Sequence, residues 1–122
     1  MGTLRVLLVD DEPDFLEPTA ARLVRRGISC TTATSGEAAL ATLRAASYDC
    51  AVVDVRMPGM DGLELLRRVR RDWPELRVVL LTGHASIELG VQGMELGAFE
   101  YLLKPVELDD LLETVWRAVR RP

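Results

Sequence analysis

Five short runs of strand-forming residues alternate with segments of helical spacing, and this alternation restricts the fold more than any other feature of the chain. The runs are Leu4 to Val9, Ile28 to Thr34, Ala51 to Val53, Val78 to Leu81, and Leu102 to Leu103. Four are almost wholly apolar, as expected of strands covered on both faces. Ile28 to Thr34 carries Thr31, Thr32 and Thr34 instead, which suits a half-exposed edge strand. The intervening stripes are Leu16, Ala20, Leu23 and Val24; then Ala39, Leu40 and Leu43 behind Ser35 as an N-cap. Leu63, Leu66 and Val69 follow, with Asp61 and Glu64 placed as a capping pair, and last come Leu108, Leu111, Leu112, Val115 and Val119. Such alternation predicts an α/β fold, a doubly wound five-stranded parallel sheet with helices on both faces and right-handed crossovers.

Two helical segments break the pattern. Pro18 falls inside the first, where a lost backbone donor predicts a late helix start or a bend. Gly90 and Gly93 fall inside the fourth, Ala85 to Leu96, each costing about 1 kcal/mol relative to alanine, so this helix is expected to be the least stable. In the same segment Ile87, Val91 and Met94 are expected to face the core. Leu89 and Leu96, together with Tyr101 and Trp116, would then form a surface for a partner or a second copy of the chain, a homodimer.

A chain of 122 residues has room for one domain and buries enough surface to need no disulfide or structural metal. Its net charge of -4 argues against direct nucleic acid binding. The basic cluster Arg67, Arg68, Arg70 and Arg71 follows Asp61 and Glu64, acid early and base late, which reads as a solvated helix face. Cys30 and Cys50 stand apart, without Cys-x-x-Cys spacing, and read as reduced core thiols. No apolar stretch approaches the roughly 18 residues that span a bilayer, so no membrane association and a cytoplasmic location are expected.

In an open parallel sheet, functional groups gather at the carboxyl ends of the strands. Those ends carry Asp10, Asp11 and Glu12 after the first run, Asp54 after the third, Thr82 after the fourth and Lys104 after the fifth. Lys104 is the only lysine among fifteen basic residues. Clustered carboxylates repel, and a hard divalent cation such as Mg2+, which takes oxygen ligands and keeps several waters, relieves that repulsion. Thr82 offers a hydroxyl and Lys104 a compact positive charge to an anion beside the metal. Each residue alone fits an ordinary cap or turn; the set of strand ends taken together describes a phosphoryl site.

The segments "LLVDDEPDFL", "VVDVRMPGMDGLELL", "VVLLTGHAS" and "GAFEYLLKPV" make the chain resemble a response-regulator receiver domain from end to end. The resemblance implies a flavodoxin-like sheet of order 2-1-3-4-5, with residues 1–122 one receiver domain and no output domain in the chain. It also implies that Asp54 is the phosphoacceptor, loaded from a phosphohistidine on a sensor histidine kinase or histidine phosphotransfer protein. Asp11, Asp54 and the backbone carbonyl of Arg56 would ligate Mg2+ (or Mn2+), with Asp10 acting through water. Lys104 would contact the phosphoryl group, Thr82 would hydrogen-bond it, and Tyr101 would be the switch aromatic, signalling through the surface of the fourth helix, fifth strand and fifth helix to a downstream output domain or protein. The Lys104-Pro105 bond is expected to be cis.

The resemblance makes the chain a signalling domain with limited self-phosphorylation and autodephosphorylation rather than an enzyme of the ordinary kind. Arg56 and His84, at variable positions beside the site, are expected to tune the phosphoryl lifetime. A phosphatase of the haloacid-dehalogenase type would also use an aspartate, Mg2+ and a lysine on a parallel sheet. That family places its nucleophile in Asp-x-Asp after the first strand, which Asp10-Asp11-Glu12 lacks.

Overall fold

The computed structural model describes residues 3–120. Strands β1 (Arg5–Val9), β2 (Ser29–Ala33), β3 (Cys50–Asp54), β4 (Arg77–Thr82) and β5 (Glu100–Leu103) alternate with helices α1 (Pro13–Arg25), α2 (Gly36–Ala45), α3 (Gly62–Asp72), α4 (Ile87–Glu95) and α5 (Leu108–Arg120). A single 3-10 turn, His84–Ser86, precedes α4. The strands form one parallel sheet in the order β2-β1-β3-β4-β5, so β2 is an edge strand as its threonines suggest. No helix among the described residues is long and apolar enough to cross a membrane.

Because strand side chains alternate between faces, each inner strand feeds two cores. Leu7, Val9, Ala51, Val53, Val78 and Leu80 point to the face covered by α2, α3 and α4, where they meet Leu40, Leu43, Leu63, Leu66 and Val69. Val6, Leu8, Val52, Val79 and Leu81 point to the face covered by α1 and α5, against Leu16, Leu23, Leu111, Val115 and Ala118. Each valine or leucine among them, fully buried, contributes about 1.5–3 kcal/mol. With both faces sealed, the strands are fixed, and the strand ends and their connecting loops are left for chemistry.

The capping expectations hold. The Ser35 hydroxyl accepts from the Ala38 amide at 3.1 Å and the Asp61 carboxylate from the Glu64 amide at 2.9 Å. In α3, Arg67 and Arg68 pair with Glu64 and Arg71 pairs with Asp72, as a solvated face should. Cys30 and Cys50 are free thiols, with burial pushing them up to about 11 and about 12. Both lie opposite Val6, on strands flanking β1, so a full strand separates them.

The late start of α1 and the facing of α4 both fail. α1 does not start late: it begins at Pro13, a first-turn proline, and keeps Pro18 inside the helix at an exposed position. An exposed proline leaves the unpaired carbonyl one turn earlier within reach of water. In α4 the apolar residues are turned the other way, for Ile87, Val91 and Met94 are 36%, 48% and 37% exposed while Gly90 and Gly93 are buried. Leu89 and Leu96, expected outside, are partly buried against the α2, α3 and α4 core. The inner row is built from glycine: a Cβ on Gly93 would strike the Leu80 side chain, and one on Gly90 would lie 2.9 Å from the Tyr101 ring. Helix α4 sits so close to the sheet that larger residues cannot face inward.

A similar approach fixes the start of α3. A Cβ on Gly62 would lie 2.5 Å from the Asp54 carbonyl oxygen and 2.7 Å from the Val55 Cα, both backbone atoms that cannot rotate away. Gly62→Ala is therefore expected to destabilise the fold by about 2–4 kcal/mol in urea unfolding. Gly83 has negative φ and nothing within 4 Å of its would-be Cβ, so Gly83→Ala should be neutral or stabilising by up to about 1 kcal/mol. Equal effects of the two substitutions would contradict the close approach at Gly62.

Candidate functional site

Sheet order brings the polar strand ends together. Asp10 follows β1, Asp54 ends β3, Thr82 ends β4 and Lys104 follows β5. The Thr82 carbonyl accepts from the Lys104 amide at 2.9 Å and the Leu81 carbonyl from the Val55 amide at 2.9 Å, so the ladder continues one residue past the strands and holds these positions in register. The Lys104-Pro105 bond is cis, as expected.

Asp10 is fully buried, and its carboxylate is satisfied from two sides. The Glu12 amide donates to Oδ1 at 2.9 Å and the Lys104 ammonium to Oδ2 at 2.6 Å. From the same position Lys104 Nζ stands 3.5 Å from Glu12 and 3.7 Å from Asp54, and 4.3 Å from the centroid of the Phe15 ring. Burial alone would lower the lysine pKa, but the Asp10 hydrogen bond and the charges of Asp54, Asp10 and Glu12 outweigh it and hold it above the ordinary value. The ammonium is a fixed positive charge.

Asp54 is 7% exposed and receives only a long hydrogen bond, 3.4 Å from the Arg56 amide. Burial and then the Asp10 charge raise its pKa from 3.8 to about 6; Asp11 adds a smaller push, while Lys104 and the Arg56 amide pull the other way. A carboxylate in this condition is short of positive charge. Oxygens of Asp10, Glu12 and Asp54 lie within 4.8 Å of one another, a group of hard ligands of the kind that suits Mg2+.

The expected site residues are distributed unevenly around this centre. The Asp11 carboxylate is not part of the three-carboxylate group, although its charge acts on Asp54. Glu12, which sequence reading had placed at the strand end without a role, is in it. Arg56 and His84 are exposed beside the site. Tyr101 is half-buried, its ring packed where a Gly90 side chain would otherwise be. Thr82 is fully buried, and its hydroxyl hydrogen-bonds within the following turn, 2.7 Å from the Ser86 carbonyl and 2.9 Å from the Ser86 hydroxyl. Phe15 and Ser86 had not been singled out. The only trace of them in the sequence is their four-residue spacing from Asp11 and from Thr82.

A cavity of about 1010 Å³ lies at the opposite, amino ends of β3 and β4, between Tyr48, Asp49, Trp73 and Arg77. The carboxylate site is the better candidate, because it combines buried charge with a raised pKa.

Residues 6–116 match the family model described as the response regulator receiver domain. The DNA-binding transcriptional regulator NtrC of Salmonella typhimurium is 37% identical over 114 residues, covering 93% of this chain and 24% of that protein. The transcriptional regulatory protein FixJ of Bradyrhizobium diazoefficiens is 34% identical over 116 residues, covering 95% of this chain and 57% of FixJ. The chain thus spans between a quarter and three fifths of these relatives. Among solved structures, a response regulator receiver domain protein from Clostridium thermocellum superposes with a TM-score of 0.91 at 33% identity, covering 97% of this chain and 95% of that one. The receiver domain of NtrX from Brucella abortus does so with a TM-score of 0.91 at 33% identity, covering 96% and 99%.

The raised pKa of Asp54 fixes the sign of a pH effect. In the fold the carboxyl holds its proton up to about pH 6, against 3.8 ordinarily, so its ionisation opposes folding above that pH. In a chelator, Asp54→Asn should be more stable than wild type at pH 8 by about 1–2 kcal/mol, a value discounted for solvent reach. The gap should close as pH falls from about 6 towards 4. Urea unfolding across pH checks this, and millimolar Mg2+ should then raise the melting temperature of wild type more than that of Asp54→Asn. A gap that does not change with pH would remove the argument for charge frustration at Asp54.

Proposed function

The chain belongs to the response regulator receiver domain family of two-component signalling, whose role is phosphoryl acceptance, and from that premise we propose that Asp54 is the accepting residue. The observation carrying this reading is that Asp54 is the buried, underbonded carboxylate at the strand ends, with the Lys104 ammonium 3.7 Å away.

With a pKa near 6, Asp54 is mostly ionised at neutral pH and nucleophilic through oxygen. Its oxygen attacks the phosphorus of a phosphohistidine on a sensor histidine kinase or histidine phosphotransfer protein. The O-P bond forms, the P-N bond breaks, and the electron pair leaves on the partner's imidazole nitrogen. Lys104 holds a point charge beside the new phosphoryl oxygens, and Thr82 supplies a hydroxyl to them. Asp11, Asp54 and the Arg56 carbonyl would hold Mg2+ or Mn2+, with Asp10 acting through water, and the convergence of Glu12 on Asp54 and Asp10 adds a further donor. When bound, the ion neutralises charge on the transferring group.

Phosphorylation replaces the single charge of the Asp54 carboxylate with a phosphoryl group of about 1.5–2 negative charges, a net gain of about one at most, which would recruit Thr82 and the loop before α4. The readable surface is the one formed by α4, β5 and α5, where Ile87, Val91, Met94, Leu103 and Trp116 are exposed. It would serve a downstream output domain or protein, or a second copy of the chain. NtrC and FixJ are transcriptional regulators, which makes transcriptional output the leading case, in the cytoplasm and with no direct nucleic acid contact by this acidic domain.

Incubation with acetyl phosphate and Mg2+ should add the mass of one phosphoryl group, lost in Asp54→Asn and in chelator; labelling that persists in Asp54→Asn would refute the assignment. Autodephosphorylation is a separate matter, set by water access at the rim, where Arg56 and His84 are exposed. Arg56→Ala and His84→Ala should each change the phosphoryl half-life severalfold without changing the extent of labelling. Unchanged decay in both would leave the two side chains without a role.

A further inference from the structure

We propose that Ser86 is a positioning residue: it holds the Thr82 hydroxyl in a closed hydrogen-bonded ring and thereby sets how readily the domain responds to a phosphoryl group on Asp54. This inference rests on the reading of Asp54 as the acceptor and of Thr82 as its hydroxyl partner.

The ring is local and buried. Thr82 is fully enclosed and Ser86 is 4% exposed. Thr82 Oγ1 lies 2.7 Å from the Ser86 carbonyl, 2.9 Å from Ser86 Oγ and 3.2 Å from the Gly83 carbonyl. Ser86 Oγ is itself 3.3 Å from the Gly83 carbonyl, and the Ser86 amide donates to that carbonyl at 3.0 Å. The turn His84–Ser86 therefore folds back on the end of β4, with the two hydroxyls at its centre.

Proton counting makes this ring a switch element. Thr82 has one hydroxyl proton, and at 2.7 Å the Ser86 carbonyl is its shortest acceptor. Carbonyls cannot donate, so the 2.9 Å contact between the hydroxyls is closed by the serine proton. A phosphoryl oxygen on Asp54 can receive the threonine proton only if the Ser86 carbonyl gives it up. That carbonyl closes the first turn of α4, and the serine proton can turn from Thr82 to the Gly83 carbonyl, 3.3 Å away, so release leaves no buried group without a partner. The exchange is nearly balanced, and the Ser86 hydroxyl adds its weight to the unphosphorylated side.

The other flank is closely packed. Gly90 has no side chain, and its would-be Cβ lies 3.4 Å from the Thr82 methyl and 2.9 Å from the Tyr101 ring. Thr82 and Tyr101 thus pack together against Gly90 of α4, and displacement of the threonine is felt by the ring and by the helix.

The test is a double-mutant cycle of Ser86→Ala and Thr82→Val read by binding of beryllium trifluoride with Mg2+, a phosphoryl stand-in that loads a carboxylate oxygen. Ser86→Ala should tighten apparent binding about three- to tenfold, the worth of one neutral hydrogen bond. In ligand-free Ser86→Ala, the amide resonances of residues 83–90 should move along the line joining free and loaded wild type. Thr82→Val should weaken binding, and in that background Ser86→Ala should have no further effect. An equal effect of Ser86→Ala with and without the threonine hydroxyl would make the serine merely structural and overturn the proposal, as would unchanged affinity. If wild type itself fails to bind beryllium trifluoride, or Asp54→Asn binds it equally, the acceptor assignment fails and the latch with it; normal wild-type binding with an inert Ser86→Ala refutes the latch alone.

Discussion

The Lys104 ammonium is the interaction on which the arrangement of the site depends. Asp10 is fully buried at the end of an apolar strand, and an unpaired carboxylate there would be too costly to keep ionised. Lys104 reaches it from beyond β5 even though β3 and β4 lie between β5 and β1. Three strand spacings amount to roughly 14 Å, so the reach needs a long unbranched chain and a loop that turns back over the strand ends. The Phe15 face supports the ammonium from α1, which ties the first helix to the last strand through one charge. A planar guanidinium, with its donors in a fixed fork, would not present a compact charge to Asp10, Glu12 and Asp54 together.

Everything beneath this layer is rigid by construction. Two cores seal the sheet, and the inner strands have no freedom to shift without opening both. The loops after the strands differ in how firmly they are held. The β3-α3 loop is pinned by Gly62, whose contact with the Asp54 carbonyl and Val55 admits no side chain. The segment after β4 is held by hydroxyls and carbonyls instead, and it leads into a helix of nine residues whose inner row is glycine. A rigid carboxylate next to an exchangeable hydrogen-bond ring suits the switch proposed above.

How much of this was legible in the sequence follows from which forces set each part. Strand identities and order were accessible because burial on two faces leaves runs such as Val78 to Leu81, and because right-handed crossovers prune the topologies. The caps Ser35 and Asp61 were accessible because capping is local. The facing of α4 was misread: Ile87, Val91 and Met94 have ideal core spacing, and glycine carries no hydropathic signal to outvote them. Only the distance between helix and sheet decides that question, and distance is a tertiary quantity. Glu12 over Asp11 in the carboxylate group was hidden for a related reason, since adjacent residues entering a helix diverge in direction by an amount the sequence does not encode.

The site is short of positive charge before any phosphoryl group arrives. Asp10, Glu12 and Asp54 converge with one lysine to answer them, and at Asp54 burial first and then the Asp10 charge raise the pKa to about 6. Adding a phosphoryl dianion makes the imbalance worse, so the product state can be reached only with an added cation or with protein donors brought in from elsewhere. Lys104 has three protons, and the Asp10 carboxylate takes the shortest of its contacts. A further donor of the right kind is the Thr82 hydroxyl, which is engaged in the turn before α4. If Asp54 is the acceptor, as proposed, electrostatic demand there is connected to a segment held by exchangeable bonds, and the expected response is that donors move towards β3 and the start of α4 moves with them.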